Sequence, residues 1–226
     1  MSHINIVRIK VVNNALGDLR DKVVFVGGAT VSLYPDRKQF EVRPTDDVDI
    51  IIEILNYVGR TELEEKLRLL GFQHDLESSI ICRYKIQGII VDIMPTNDSS
   101  IGFENRWYPE GFKNAIKYAI DETTIVKILS APYFIATKLE AFFGRGNNDG
   151  RTSHDFEDIV YVLENRMSIW KELNESNKNL KSYLQASFSD LLRNPNLFEW
   201  IDSHVERGFP PASYYLFDQL KKYSLN

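Results

Sequence analysis

The segment RPTDDVDIII, residues 43–52, is the part of the sequence that most constrains the fold of this chain, because it places aspartates at the start of an apolar, β-branched run. Side chains two apart on a strand point to the same face, so Asp47 and Asp49 project together. Carboxylates are rarely buried unless they are paired or coordinate a metal ion. The segment predicts a strand over residues 48–55 whose paired acids hold a cation, with a solvated strand end as the alternative. Asp46 is interpreted as a strand-end or cap residue.

A third acid, Asp92, lies inside the strand-like run GIIVDIMP. Burying an unpaired carboxylate costs free energy of folding, so Asp92 is either a structural carboxylate with hydrogen-bond partners or a metal ligand. Neighbouring strands lie about 4.8 Å apart, which lets Asp92 reach the site of Asp47 and Asp49. Three carboxylates offer the hard oxygen ligands that Mg²⁺ or Mn²⁺ prefers. The sequence therefore predicts a divalent metal site at these residues.

A Gly-Gly pair, Gly27-Gly28, directly follows the short apolar run Val23–Val26, which is expected to be a strand. Glycine lets a backbone approach a ligand closely, and amides at the start of a following helix can receive phosphate oxygens. The alternative is an ordinary strand-to-helix turn. Gly27 and Gly28 are thus candidate nucleotide-binding residues, with Thr30 as a supporting residue.

The remaining pattern divides the chain into an α/β half and a helical half. Thr61 and Glu64 form a capping-box pattern that predicts a helix start, and Gly71 is expected at its C-terminal end. Gln87-Gly88 separates two strand-like runs and predicts a hairpin. The boundary is placed near Ser130, which gives a core of residues 1–130 and a helical lobe of residues 131–226. Further elements are expected at residues 79–86, 89–94 and 123–129 (strands), and at 133–143, 156–164, 180–192, 198–205 and 214–223 (helices).

Composition narrows the class of protein. The chain has 226 residues, 43% of them hydrophobic, which suffices for a substantial core. The net charge of −5 provides no bulk positive field, so a polynucleotide would have to be held by a local patch. Cys82 is the only cysteine, which excludes an internal disulfide and favours the cytoplasm. No apolar run is long enough to span a membrane, so a soluble protein is expected.

The ordered set VFVGGATVSLY, RPTDDVDIII and IIVDIMP resembles the nucleotidyltransferases of the DNA polymerase β type, over about residues 23–95. TKLEAFFGRGNNDGRTSHDFEDIVYVL, residues 137–163, resembles a bacterial subgroup that includes the toxins of AbiE-type abortive-infection pairs. His154 stands where that subgroup often has a lysine. The resemblance implies an α+β fold, with a mixed β-sheet core and flanking helices followed by a C-terminal helical lobe.

The resemblance also implies a reaction, in which a nucleoside monophosphate passes from a nucleoside triphosphate such as ATP to a hydroxyl and pyrophosphate leaves. Asp47, Asp49 and Asp92 would bind Mg²⁺ or Mn²⁺, and Asp92 could activate the acceptor hydroxyl. The acceptor implied for a toxin of this kind is tRNA or another RNA, and a cognate antitoxin protein is an expected partner.

Residues of the second half receive roles from the same resemblance. Lys138 and Arg145, the latter expected in a Gly-rich loop, would contact the triphosphate across a cleft that the helical lobe completes. Asp158 would orient Lys138 or the acceptor, and Asp155 is a supporting residue. Each has an alternative: Lys138 as a snorkelling surface residue, and Asp155 as a helix cap or dipole partner. His154 is expected to be a surface residue as readily as a functional one, and Cys82 a small core residue.

Four alternatives to an RNA-modifying enzyme remain open from the sequence. A small molecule, as in aminoglycoside-modifying relatives, or a protein could be the acceptor. A non-catalytic module could bind nucleotides or a partner on the same fold. A metal-dependent phosphodiesterase could use the same paired acids. Clustered buried acids together with Gly-Gly favour an enzyme over a non-catalytic module. Such a module would need only the shape of the fold and would have no need of clustered buried charge.

Overall fold

The structure is a computed structural model that describes residues 3–36, 42–53, 57–96, 105–145, 149–206 and 212–225. The chain divides into two compact units. The first unit comprises Met1–Leu33 and Glu41–Ser130, and the second comprises Tyr34–Phe40 and Ala131–Asn226. Each unit is built around its own apolar core.

In the described part of the first unit, seven strands form one mixed sheet in the order β3-β4-β5-β2-β1-β7-β6. The strands β2 and β5 are parallel neighbours, as are β1 and β7, and the other neighbouring pairs are antiparallel. The strands are β1 (Val23–Val26), β2 (Asp47–Ile52), β3 (Gln73–His74), β4 (Arg83–Ile86), β5 (Ile89–Pro95), β6 (Ile116–Ala119) and β7 (Ile125–Ile128).

Helices flank this sheet and make up the second unit. Two 3-10 helices, Gly17–Lys22 and Gly28–Leu33, lie on either side of β1. The first unit contains α1 (Ile4–Ala15), α2 (Tyr57–Leu69) and α3 (Tyr108–Lys113). The second contains α4 (Ala131–Arg145), α5 (His154–Asn165), α6 (Ile169–Glu175), α7 (Lys178–Leu192), α8 (Leu197–His204) and α9 (Ala212–Ser224). The expectation of a mixed sheet with flanking helices followed by a helical segment is confirmed.

The boundaries of α2 correct one prediction and confirm another. Helix α2 begins at Tyr57, so Thr61 lies inside it and the predicted capping box there is wrong. The helix ends at Leu69, and Gly71, which has φ +91°, lies at its C-terminal end as expected. The amide of Gly71 donates to the carbonyl of Arg68, and that of Phe72 donates to the carbonyl of Leu67. These two bonds form a Schellman motif, which the positive φ of glycine permits.

The hairpin at Gln87-Gly88 is confirmed, although its first strand is shorter than predicted. Gln87 and Gly88 both have positive φ, as a two-residue type I′ turn requires, and Ile86 pairs with Ile89 directly across it. Strand β4 begins only at Arg83 because residues 79–82 form turns. Part of the strand predicted at residues 48–55 lies outside the described residues, and β2 ends at Ile52.

Burial follows the continuous apolar runs of the central strands. All four residues of β1 are buried, and β2 buries Val48 and its last three residues. In the second unit, the rings of Phe142, Phe156 and Trp200 contact one another with centroids 5.3 to 6.2 Å apart. Among the described residues, no helix combines the length and the hydropathy that crossing a membrane requires.

Candidate active site

Three aspartates converge on one face of the sheet in the first unit. Asp47 and Asp49 lie on β2, and Asp92 lies directly opposite Asp49 on the parallel neighbour β5. Each residue offers a carboxylate oxygen, and these oxygens all lie within 4.8 Å of one another. Asp92 is buried, whereas Asp47 and Asp49 are partly exposed at the start of their strand. The arrangement has the geometry and the hard oxygen donors of a divalent metal site.

Gly27 lies against this cluster because β1 is the other neighbour of β2, with Val26 opposite Asp49. Gly27 has φ +69°, and a Cβ added there would lie 2.7 Å from the Cγ of Asp49. Only glycine therefore permits both the turn and the close approach of the Asp49 carboxylate. Gly28 begins the 3-10 helix, and the fully buried Thr30 donates its hydroxyl to the carbonyl of Gly27 at 2.9 Å. Thr30 thus supports the turn.

Arg83 on β4 is a further component of the cluster. Its Nε donates to Oδ1 of Asp92 at 2.8 Å, and its Nη2 donates to Oδ2 of Asp92 at 2.7 Å. The same Nη2 also donates to Oδ2 of Asp47 at 3.1 Å. A bidentate, charge-assisted pair of this kind fixes both oxygens of Asp92. Asp92 and Asp47 therefore share the guanidinium, whose single positive charge offsets only part of the negative charge of the three carboxylates when all are ionised.

Electrostatics at the cluster reflect this excess. Burial and then the negative charge of Asp92 raise the pKa of Asp47, and Arg83 only partly opposes them. The pKa of Arg83 is raised above its usual range, first by the hydrogen bond to Asp92. A group of acids whose ionisation is opposed by burial and mutual repulsion is stabilised by an added cation. The residues present therefore fit a divalent ion.

The sequence contained a signal for Arg83 that the acid pattern alone missed. A two-residue turn at Gln87-Gly88 sets the register of the hairpin, and counting outward from it places Arg83 opposite Asp92. Cross-strand residues share a face, so the arginine was predictable as the partner of the buried acid. Asp46, by comparison, is exposed just before β2.

A cavity of about 570 Å³ between α2 and the β4–β5 hairpin lies on the opposite face of the sheet. Its lining includes Leu67, Tyr84 and Ile93. Tyr84 and Ile93 directly follow Arg83 and Asp92, so their side chains point away from the carboxylates. Cys82 also lines this cavity and is buried, as expected, and burial raises the pKa of its thiol to about 11. The cavity is therefore separate from the carboxylate cluster.

The other predicted site residues form a second charged group, within the second unit. Lys138 on α4 is buried, and its Nζ lies 2.6 Å from Oδ2 of Asp158 and 3.0 Å from Oδ1 of Asp155 on α5. Arg145 donates from Nε and Nη2 to the two oxygens of Asp155 at 3.0 and 3.2 Å. Lys138, Arg145, Asp155 and Asp158 thus form a network of two cations and two anions, in which Lys138, Asp155 and Asp158 are buried and Arg145 is exposed.

Charge pairing dominates the electrostatics of this network. Burial alone would lower the pKa of Lys138, but Asp158 and Asp155 raise it. Burial alone would raise the pKa of Asp155, but Lys138 and Arg145 lower it. The ion pairs therefore favour the charged forms of Lys138 and Asp155 against the effect of burial.

The structure bears on four expectations about single residues of the second unit. The snorkelling alternative for Lys138 is wrong, since its side chain is only 9% exposed. Arg145 is the last residue of α4 and not part of a loop. Asp155 is not the cap of α5, because Ser153 accepts the amide of Phe156 in that role. His154 is an exposed residue whose Nδ1 lies 3.3 Å from Oε2 of Glu157.

Comparisons with known proteins agree with this architecture. No protein-family model matches the sequence, and no curated protein matches it. Among solved structures, the antibiotic-resistance factor ANT(2″)-Ia is similar at a TM-score of 0.52 with 18% identity, covering 83% of this chain and 95% of that protein. An antigenic nucleotidyltransferase-like protein from Paracoccidioides brasiliensis also has a TM-score of 0.52, with 16% identity, covering 91% and 96% of the two chains.

A second structure of ANT(2″)-Ia, in complex with adenylyl-2″-tobramycin, has a TM-score of 0.50 and 18% identity and covers 82% of this chain and 97% of that protein. These similarities cover 82 to 91% of this chain and 95 to 97% of the solved proteins. The chain therefore has the nucleotidyltransferase fold.

Proposed function

We propose that this protein is a magnesium- or manganese-dependent nucleotidyltransferase that transfers a nucleoside monophosphate from a nucleoside triphosphate to a hydroxyl. The observation that carries the proposal is the convergence of Asp47, Asp49 and Asp92 on one face of a sheet with this fold. Two further features support it. Gly27 leaves the room that the Asp49 carboxylate occupies, and burial makes the cluster receptive to a cation.

The chemistry needs few groups from the chain. Asp47, Asp49 and Asp92 would hold the divalent ions, which when bound neutralise phosphate charge and stabilise the attacking and leaving oxygens. A bond forms between the acceptor oxygen and the α-phosphorus as the bond to the β-phosphate oxygen breaks, and pyrophosphate leaves. Asp92 is the group that would take the proton of the acceptor hydroxyl. Gly27 and Gly28 would let the backbone approach the nucleotide phosphates.

Lys138 and Arg145 are proposed as the phosphate contacts of the second unit. Their pairing with Asp155 and Asp158 supports a positioning role for these acids, since a lysine held by two carboxylates has a fixed direction. The same pairing reduces the net positive charge that Lys138 could offer to a triphosphate. A role of the helical unit in nucleotide binding is part of this proposal.

Two observations bear on which molecule is the acceptor. The resemblance to AbiE-type toxins favours tRNA or another RNA, and a cognate antitoxin would then be a partner. The antibiotic-resistance factor with a related fold was solved with an adenylylated aminoglycoside, which favours a small molecule. The negative net charge of this chain supports a compact acceptor or a single RNA end over an extended polynucleotide.

Product analysis tests the proposal. The protein is incubated with Mg²⁺ and each of four α-labelled nucleoside triphosphates, in the presence of either total tRNA or an aminoglycoside, and both labelled acceptor and pyrophosphate are measured. Labelled acceptor with equimolar pyrophosphate supports transfer. Shortened RNA without incorporation would indicate a phosphodiesterase, and bound nucleotide without product would indicate a non-catalytic module. Asp47→Asn serves as the inactive variant, and Asp46→Asn, its exposed neighbour, is the matched control.

A further inference from the structure

Arg83 donates hydrogen bonds to the carboxylate oxygens that the proposed metal site requires. It uses both carboxylate oxygens of Asp92, at 2.8 and 2.7 Å, and one oxygen of Asp47 at 3.1 Å. Its side chain is only 19% exposed, so solvent screens these contacts weakly. The cluster that would hold a divalent ion therefore already contains a cation that belongs to the chain.

An arginine and a metal ion compete for the same carboxylate. A guanidinium that binds a carboxylate side-on takes one lone pair of each oxygen, and its positive charge repels a divalent ion at close range. Asp92 can therefore serve as a strong metal ligand, or accept a proton from the acceptor, only after its contact with Arg83 weakens. Asp47 is less restricted, since Arg83 contacts only one of its oxygens.

A nucleoside triphosphate would provide the alternative partner for the guanidinium. Phosphate oxygens accept bidentate hydrogen bonds from arginine in the same planar geometry as a carboxylate. A triphosphate bound near Asp47 and Asp49 would lie within the range of a side chain that already spans from β4 to β2. In this exchange Arg83 keeps an anionic partner, and the carboxylate of Asp92 is released to bind a metal ion.

We propose that Arg83 is a positioning residue that withholds Asp92 from metal coordination until nucleotide phosphates replace Asp92 as its partner. The inference rests on the proposed function. Its consequence is that metal and nucleotide bind cooperatively, because the nucleotide removes the internal competitor of the metal ion. Without nucleotide, Asp47 and Asp49 bind a divalent ion weakly.

Metal binding in the absence of nucleotide tests this directly. Mn²⁺ is titrated into the full chain, and free Mn²⁺ is measured by its electron paramagnetic resonance signal. Arg83→Gln is expected to tighten Mn²⁺ binding by about tenfold or more, since charge-assisted hydrogen bonds of this kind are worth at least that factor. Nucleotide should tighten Mn²⁺ binding in the wild type far more than in Arg83→Gln. Equal or weaker Mn²⁺ binding by Arg83→Gln would overturn the inference.

Lys85→Gln is the matched control because it removes the same charge from the same face of the same strand. Lys85 pairs with Asp75 at 2.9 Å, away from the cluster, so its variant should bind Mn²⁺ like the wild type. An equal gain in both variants would show a general charge effect and overturn the inference. Asp47→Asn separates the two proposals: if it binds Mn²⁺ as the wild type does, the metal site and the proposed function fail as well. If binding depends on Asp47 but not on Arg83, only the inference fails.

A measurement on the wild type makes the test independent of the folding of any variant. The Nε–H group of Arg83 gives a nitrogen-15 resonance that can be assigned by correlation to its backbone. While this proton is hydrogen-bonded to Asp92, its resonance should be shifted and its exchange with water should be slow. Addition of Mg²⁺ with a non-hydrolysable nucleotide should move the resonance as the partner changes. A resonance that stays unchanged and protected at saturation would contradict the exchange of partners.

Discussion

Gly27 and Asp49 are in contact so closely that no other residue fits at position 27, where a Cβ would lie 2.7 Å from the carboxylate carbon. The positive φ of Gly27, +69°, sets a second and independent requirement for glycine. The contact joins the turn after β1 to the acids of β2. It therefore couples the two sequence motifs that first indicated the function.

Gly27→Ala is expected to abolish divalent metal binding and nucleotide transfer, because the new methyl group displaces the Asp49 carboxylate. It should also lower the free energy of unfolding by about 1–2 kcal/mol through backbone strain. Gly71→Ala is the control for strain alone, since Gly71 has φ +91° and its added Cβ would make only an ordinary contact with Ile86. Mn²⁺ titration and thermal unfolding of both variants check this. Normal metal binding by Gly27→Ala would contradict the assignment.

Asp47→Asn is expected to abolish transfer while leaving the thermal midpoint of the metal-free protein unchanged or raised. The reason is that burial and the charge of Asp92 raise the pKa of Asp47, so its ionisation disfavours the folded state. Asp49→Asn should also abolish transfer if both acids serve the metal. A large loss of stability in either variant would instead assign that carboxylate a structural role.

The raised pKa of Asp47 also predicts a pH dependence. The folded state holds the proton of this carboxyl more tightly than the unfolded state does, where the pKa is about 3.9. The stability from this group is therefore fully present below about pH 3.9 and is lost as the pH rises through the higher folded pKa. Urea unfolding of the metal-free protein at a series of pH values should show this loss, which Asp47→Asn should remove and Asp46→Asn should largely keep.

Lys138→Met is expected to lower the stability of the protein by about 3–5 kcal/mol because it leaves two buried carboxylates without their shared cation. Lys171→Met is the matched control, since Lys171 is 75% exposed and its pairing with Glu175 is weak at 3.8 Å. Chemical denaturation measures both. Similar small losses would mean that the buried network contributes little to folding.

Nucleotide affinity tests the phosphate role of Lys138 separately. Lys138→Arg keeps a cation for Asp155 and Asp158, so the fold should persist, but the guanidinium has a different reach. We expect metal-bound nucleotide to bind about tenfold more weakly to this variant, since a lost charged contact has at least that effect. Equal affinity in a calorimetric titration would restrict Lys138 to its network within the helical unit.

The sequence predicted the parts of the site that depend on local periodicity. The alternation of side chains along β2 placed Asp47 and Asp49 on one face, and the run around Asp92 identified β5 as a strand. The parallel pairing of β2 with β5 was not accessible to this reasoning, because the two strands are far apart in sequence and burial sets their register. The sequence analysis expected the two strands to be neighbours because their acids could then share a cation, but it did not predict their direction. The comparisons with solved structures support the fold.

Elements without a strong amphipathic pattern were missed. Helix α1 has polar and apolar residues mixed around its circumference, and it is anchored by contacts that lie outside its own sequence. One of these is the buried Asn5, which accepts the amide of Thr45 at 3.0 Å. The strand β6 exposes most of its residues at the edge of the sheet, so no apolar run marked it. In the charged network, Asp158 was expected to orient Lys138 or the acceptor, but the pairing of Asp155 with Lys138 and Arg145 was not predicted, since it depends on the packing of α4 against α5.

The arrangement of the site depends on the length of one exposed loop, the two-residue turn at Gln87-Gly88. Because this turn sets which residue of β4 lies opposite Asp92, one inserted residue would bring a side chain from the other face into that place. An epitope tag or fluorophore site is commonly placed at such a surface turn, where insertions are usually harmless. In this protein, substitution of Gln87 by glycine or asparagine, which accept its positive φ, should be tolerated and insertions should not, so labels belong elsewhere on the chain.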